Sequence, residues 1–163
     1  MSILKKFKAF PFHLVSVPGI VMIVATPGFA TVYLTIEQAQ QVIFPGQNLT
    51  PIEGTLKQKI WRTEDGGFFI LDKVIGKHEL ITYALGINPD GSIRQIEIMD
   101  YREAYGYEIR QKRWRRQFVG KTATASLNLN EDIVNISGAT LSCRHVTEGV
   151  KGIMNLYERM LKK

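Results

Sequence analysis

His78-Glu79-Leu80-Ile81-Thr82-Tyr83-Ala84-Leu85-Gly86-Ile87 decides the fold class. Leu80, Thr82, Ala84 and Gly86 fall on one face, and Ile81, Tyr83, Leu85 and Ile87 on the other. That period of two, with one strongly apolar face, is the pattern of a β-strand. Behind it, Asn88-Pro89-Asp90-Gly91 concentrates residues that favour a tight turn, and Ile93 to Met99 reads as the return strand. Ahead of it, Phe68 to Ile75 is a third β-type run, set between the turns Gly66-Gly67 and Gly76-Lys77. These runs predict an antiparallel meander of three or four strands.

Outward from the meander the periodicity changes. Thr35, with Gln38 three residues on, has the form of a capping box, which starts a helix through Val42 and Ile43. Phe44-Pro45-Gly46 breaks it. The run to Leu56 reads as loop, and Leu56 to Arg62 fits either helix or strand, with a short helix the preferred reading. After the meander, Tyr107 to Phe118 has helical character and carries Arg110, Lys112, Arg113, Arg115 and Arg116. A basic run of this kind is usually a solvated face. Trp114 and Phe118, four apart, share one side of that helix and suit a core better than a base-stacking platform. Gly120 stops it. Lys121 to Leu129 is linker or edge strand, and Asp132 to Ile136 is β-prone. From Ser142 to Leu161, Val146, Val150, Ile153, Tyr157 and Leu161 recur at helical spacing and form a stripe fit to pack on a sheet. The expected fold is α+β: an antiparallel meander with helices packed on one side, the C-terminal helix docked against it.

The chain of 163 residues, 45% hydrophobic and 22% charged, is enough for one domain with its own core. Its net charge of +6 is unevenly placed. Residues 1–30 hold three of the 21 basic residues, Lys5, Lys6 and Lys8, and none of the 15 acidic ones, so the remainder carries only +3. Nucleic acid is therefore not an implied partner. The lysines precede an apolar run, Leu14 to Ala25, and Gly28-Phe29-Ala30 offers small residues to a signal peptidase. This predicts a signal peptide cleaved after Ala30, with an uncleaved N-terminal anchor as the alternative; the run is short for a span of about 20 residues. Either way the domain is expected in the periplasm or another extracytoplasmic space. Cys143 is the only cysteine, so no internal disulfide is available. A helix N-terminus can lower a thiol pKa, but a lone Cys there more often packs. His78 has no second ligand at metal-binding spacing and reads as a strand-end residue.

Ser137-Gly138-Ala139-Thr140-Leu141-Ser142 joins the last β-prone run to the last helix. Gly138 permits dihedrals barred to other residues, and Ala139 adds little bulk. The first amides of the helix lack intrahelical partners, and the dipole leaves that end partly positive, which suits a phosphate. On these residues alone the alternative stands beside it: Thr140 or Ser142 caps the helix.

Ser-Gly-Ala-Thr followed by Leu-Ser resembles the attachment motif of the FMN-binding domain family, which includes flavin subunits of the sodium-pumping quinone reductase and of a related ferredoxin-linked membrane complex. The resemblance implies an FMN cofactor, joined through its phosphate to Thr140 by a flavin transferase that uses FAD. Ser137, Gly138, Ala139, Leu141 and Ser142 are carried over as the rest of the motif. Glu103, Tyr105 and Gly106 resemble a family loop bordering the flavin, although Ala104 stands where Thr is usual; Tyr105 could lie against the ring, or the loop is simply polar with a packed Tyr. Gln117-Phe118-Val119-Gly120-Lys121 resembles the family's Phe-x-Gly-Lys segment, which puts Lys121 near the flavin or its phosphate. Arg144 is a further candidate for a phosphate contact, while His145 reads as surface. The family usually has Asp three residues before the Ser; here Val134 occupies that place, so non-covalent FMN binding remains the alternative. The implied organisation is residues 1–30 as targeting segment and residues 31–163 as a single FMN-binding domain. The implied role is electron transfer rather than substrate turnover, with a membrane reductase or cytochrome as redox partner and no metal.

Overall fold

A computed structural model describes residues 31–53 and 57–162; the predicted targeting segment lies outside them. Eight residues from Phe68 to Ile75 (β4), eight from Leu80 to Ile87 (β5) and nine from Ile93 to Tyr101 (β6) form the expected meander. The sheet is wider than the sequence implied. Lys59–Thr63 (β3) and Leu49–Ile52 (β2) extend the meander on one side, and Thr31–Val32 (β1) pairs antiparallel with β6 on the other. All six strands are antiparallel in the order β1-β6-β5-β4-β3-β2.

The two faces of the sheet carry separate cores. Phe68 and Ile70 of β4 with Tyr83, Leu85 and Ile87 of β5 face Cys143, Val146, Val150, Ile153 and Tyr157 of the helix Thr140–Leu156 (α3), which ends in one π-helical turn over Tyr157–Leu161. That stripe is the one its spacing predicted. On the opposite face, Phe69, Leu71 and Ala84 pack with Ala39, Ile43 and Phe44 from the helix Ile36–Ile43 (α1) and its end. The capping box is formed: the Gln38 amide donates to Thr35 Oγ1 at 3.2 Å, and the Thr35 amide to Gln38 Oε1 at 2.9 Å. Gly86 makes room for this helix, because a Cβ there would sit 2.3 Å from Ile43 Cγ2. The α+β class thus holds, but helices cover both faces rather than one. The cause is alternation: β4 is apolar on both sides from Phe68 to Leu71, and each side requires a cover.

Three local readings change. Within the described part of the Leu56 to Arg62 run, Lys59–Thr63 is strand β3, not helix: it pairs with β4, and its neighbours Ile60 and Trp61 pack into opposite cores. Asp132 to Ile136 forms no ladder, only an isolated bridge between Leu129 and Ile133. The basic helix is two short pieces, a 3₁₀ turn at Tyr107–Arg110 and Lys112–Arg115 (α2), interrupted at Gln111, whose backbone is extended. Trp114 and Phe118 do share a buried side, in edge contact at 5.2 Å between centroids. Arg115 turns inward to pair with Glu97 and donates to the Ile96 carbonyl, so the basic run is not a uniformly solvated face.

Candidate functional site

Residues 102–139 connect β6 to α3 and enter the helix through a one-turn bend. The Ala139 amide donates to the Ile136 carbonyl at 3.0 Å, and Gly138 takes φ +83°. Nothing lies within 4 Å of where its Cβ would be, so the requirement there is purely conformational. Ala139 is the N-cap residue of α3, and no side chain hydrogen-bonds the helix start. The capping alternative for Thr140 and Ser142 is therefore set aside: both are inside the first turn. The Thr140 Oγ1 instead accepts a hydrogen bond from Asn135 Nδ2 at 3.0 Å, and Ser142 Oγ lies 3.2 Å from the Tyr101 hydroxyl. An uncapped helix start without acid in its first turn retains its positive end.

Thr140 is half-buried and lines a cleft of about 430 Å³ together with Gly138, Ala139, Leu141, Ser142, Glu103, Tyr105 and three neighbours. The two stretches that sequence motifs singled out, 103–106 and 137–142, thus meet. Two contacts join them. Tyr101, buried at the end of β6, donates its hydroxyl to the Tyr105 carbonyl at 2.5 Å and reaches Ser142. Gly106, at φ +85°, backs onto the bend so closely that a Cβ would meet Ala139 Cβ at 2.4 Å. The resemblance set Gly106 in a loop bordering the flavin; its close approach here is to Ala139. Burial pushes the Tyr101 phenol pKa up, only partly offset by the Ser142 contact, so the phenol stays protonated and able to donate.

Glu103 has a different task from the one its motif suggested. Its Oε1 accepts the consecutive amides of Lys77, His78 and Glu79 at 2.5, 2.6 and 3.0 Å, which fastens the β4–β5 turn to the connection. Burial works to raise its pKa, but these amides prevail and hold it below the usual carboxylate value. The turn so held brings Lys77 and His78 into the cleft lining. Sequence reasoning missed both: a Gly-Lys-His-Glu turn carries no signal until the fold sets it beside a helix start more than sixty residues further along the chain.

Tyr105 is 80% exposed at the cleft mouth, where a flat ring system could lie against it. Ser137 is exposed beside the bend and is not part of the lining. Lys121 is likewise not part of it: its ammonium pairs with Asp132 at 3.2 Å, and its backbone brackets Ile93. Arg144 is exposed and outside the lining. His145 is half-buried rather than free at the surface, with Nδ1 2.7 Å from the Ile75 carbonyl, which ties α3 to the end of β4. Cys143 is fully buried, and burial raises its thiol pKa, so it packs rather than reacts.

The donor set fits a phosphorylated planar ligand. Unpartnered helix amides, a hydroxyl and the Lys77 ammonium suit a phosphoryl group, an aromatic side chain suits a ring, and the volume is in the range of small-molecule clefts, roughly 300–1,000 Å³. No curated protein matches the chain. Residues 76–155 match the model of the FMN-binding domain family, from the β4–β5 turn through β5, β6 and the connection to the last turn of α3, and so span every element that lines the cleft. By that match residues 76–155 are an FMN-binding domain, the protein is an FMN-binding flavoprotein, and its cofactor is FMN.

Proposed function

We propose that the protein is an exported electron-transfer flavoprotein whose FMN is phosphodiester-linked to Thr140. The observation that carries the attachment point is the half-buried Thr140 hydroxyl at the uncapped start of α3, on the wall of a cleft roomy enough for a flavin. Glu103 holds the Lys77-His78 turn, Tyr101 and Gly106 hold the bend, and Tyr105 covers the mouth. FMN supplies the redox chemistry when bound, and the protein sets its orientation and potential. A Thr hydroxyl is a weak nucleophile by itself, so a flavin transferase using FAD is the partner that completes the link. A phosphate tether at α3 leaves the ring edge free for a membrane reductase or cytochrome, consistent with the basic and then apolar residues 1–30 and an extracytoplasmic, membrane-associated location.

The test is protein co-expressed with a flavin transferase. Its absorption spectrum is recorded before and after acid precipitation, and its intact mass is measured. The proposal requires a yellow precipitate and the mass of one FMN less one water on the peptide holding Thr140. Thr140→Ala abolishes the covalent mass while the folded protein still binds FMN reversibly. A colourless precipitate from wild type, with flavin in the supernatant, establishes the second reading, non-covalent FMN binding. Val134, where the family usually has Asp, is the sequence feature that raises that second reading.

A further inference from the structure

We infer that Asn135 is the positioning residue that sets the Thr140 hydroxyl for attachment, and that position 134 has no part in it. The inference rests on the covalent reading above.

Residues 133–136 belong to no strand, and Ile133 makes only an isolated bridge to Leu129. Ile133 is fully buried, Val134 is 66% exposed, and Asn135 turns back toward the helix start. The segment is held rigid by side chains that replace strand neighbours. Trp114 Nε1 donates to the Val134 carbonyl at 2.8 Å, and the Val134 amide donates to Gln117 Oε1 at 2.7 Å. A carboxylate at 134 would therefore share the outward direction of the valine, whereas position 135 reaches the acceptor hydroxyl.

Asn135 is also unusual in its own bonding. Its Nδ2 donates to Thr140 Oγ1 at 3.0 Å, while its Oδ1 is buried with no hydrogen-bond partner among the described residues. Buried amide oxygens are nearly always paired. The two ends of an amide are interchangeable by a half-turn. In the orientation shown Nδ2 donates and the hydroxyl proton is left free for a base; after a half-turn Oδ1 accepts from the hydroxyl instead. Either bond holds Thr140 Oγ1 in one rotamer on the cleft wall. A new Thr140 Oγ1–phosphorus bond forms to the riboflavin-bearing phosphoryl group of a flavin dinucleotide. The anhydride P–O bond breaks, the mononucleotide leaves with the bonding electron pair, and the hydroxyl proton passes to a base of the transferase. Asn135 keeps the hydroxyl in one rotamer throughout and takes no proton itself.

The experiment measures the initial rate of FMN incorporation into the full chain by intact mass, with purified transferase and FAD, alongside reversible FMN affinity and a thermal melt. Asn135→Leu, close in volume but without polar atoms, is expected to slow incorporation at least tenfold with reversible affinity unchanged within about twofold. Asn135→Asp, which retains an acceptor, stays within about threefold of wild type, and Val134→Asp within about twofold. Should Asn135→Leu melt early, Asn135→Asp and Asn135→Ser decide: both exceed Asn135→Ala if a hydrogen-bonding group at 135 is what counts. Equal rates for wild type, Asn135→Leu and Asn135→Ala, or a tenfold gain from Val134→Asp, overturn the inference while leaving the covalent reading intact. A wild type that gains no mass overturns both.

Discussion

The sheet and the connection that follows it are held by different physics. From β2 to β6 the chain is fixed by ladders of repeated backbone bonds and by two apolar cores, one per face. Residues 102–139 contain two short helical turns and an isolated bridge. They are fixed largely by single side chains bonding to single backbone groups: Trp114 and Gln117 to Val134, Arg115 to Ile96, Asp132 to Leu127 and Asn128. A ladder tolerates the loss of one rung, whereas a connection fastened at single points does not. Half of the residues lining the cleft belong to the fastened part, and long connections of this kind are commonly where function resides.

The comparison makes opposed forecasts for two substitutions. Phe69→Ala removes a fully buried ring from the α1 face of the sheet, where it meets Trp61 edge-on at 5.4 Å. It should cost about 3–5 kcal/mol in denaturant unfolding, yet leave FMN affinity per folded molecule unchanged, because the cleft lies on the other side. Gly106→Ala should cost less, about 2–3 kcal/mol, from its φ of +85° and the crowding of Ala139, but it should weaken FMN binding severalfold by pushing the bend. If Phe69→Ala lowers affinity as much as Gly106→Ala, the two regions are not separable and the contrast is wrong.

The same contrast explains what was legible in the sequence. Residues 68–99 were readable because a strand's facing is written in neighbouring residues, and α1 and α3 because capping and period are local signals. β3 was read as helix because its five residues set apolar Ile60 and Trp61 side by side and are too few to separate the periods. The second face was missed because Phe68 to Leu71 is apolar throughout, which says that both sides are covered but not by what. In the site, Thr140, Gly138, Ala139, Glu103, Tyr105 and Gly106 were singled out through motif resemblance, and the fold brings them together. Lys77, His78 and Tyr101 were not singled out, since each acquires its place from groups remote in sequence, and Asn135 was not because only the fold turns its side chain back to Thr140. Lys121 was given a ligand's role from its motif, but its charge serves the connection.

That last assignment supplies the smallest and most specific forecast. Asp132 accepts the amides of Leu127 and Asn128 at 3.1 and 2.8 Å and pairs with Lys121. Burial acts to raise its pKa, but the Asn128 amide, the Lys121 ammonium and the Leu127 amide outweigh it and hold the value at about 2. A carboxyl whose folded pKa lies below its unfolded value of roughly 3.9 stabilises the fold fully above that unfolded value. The contribution falls away as pH drops from about 5 towards 2. Asp132→Asn should therefore cost on the order of 1–2 kcal/mol at pH 7, the lower figure allowing for solvent around a partly exposed pair. Against pH, the difference between wild type and variant should be constant from pH 7 to about 5 and shrink towards zero near pH 2. Urea unfolding at each pH measures it directly. Lys121→Met should reproduce part of the loss at pH 7 without altering reversible FMN affinity. A Lys121 variant that keeps full stability but loses FMN would return that lysine to the cofactor and leave Asp132 to hold the connection through its amides alone.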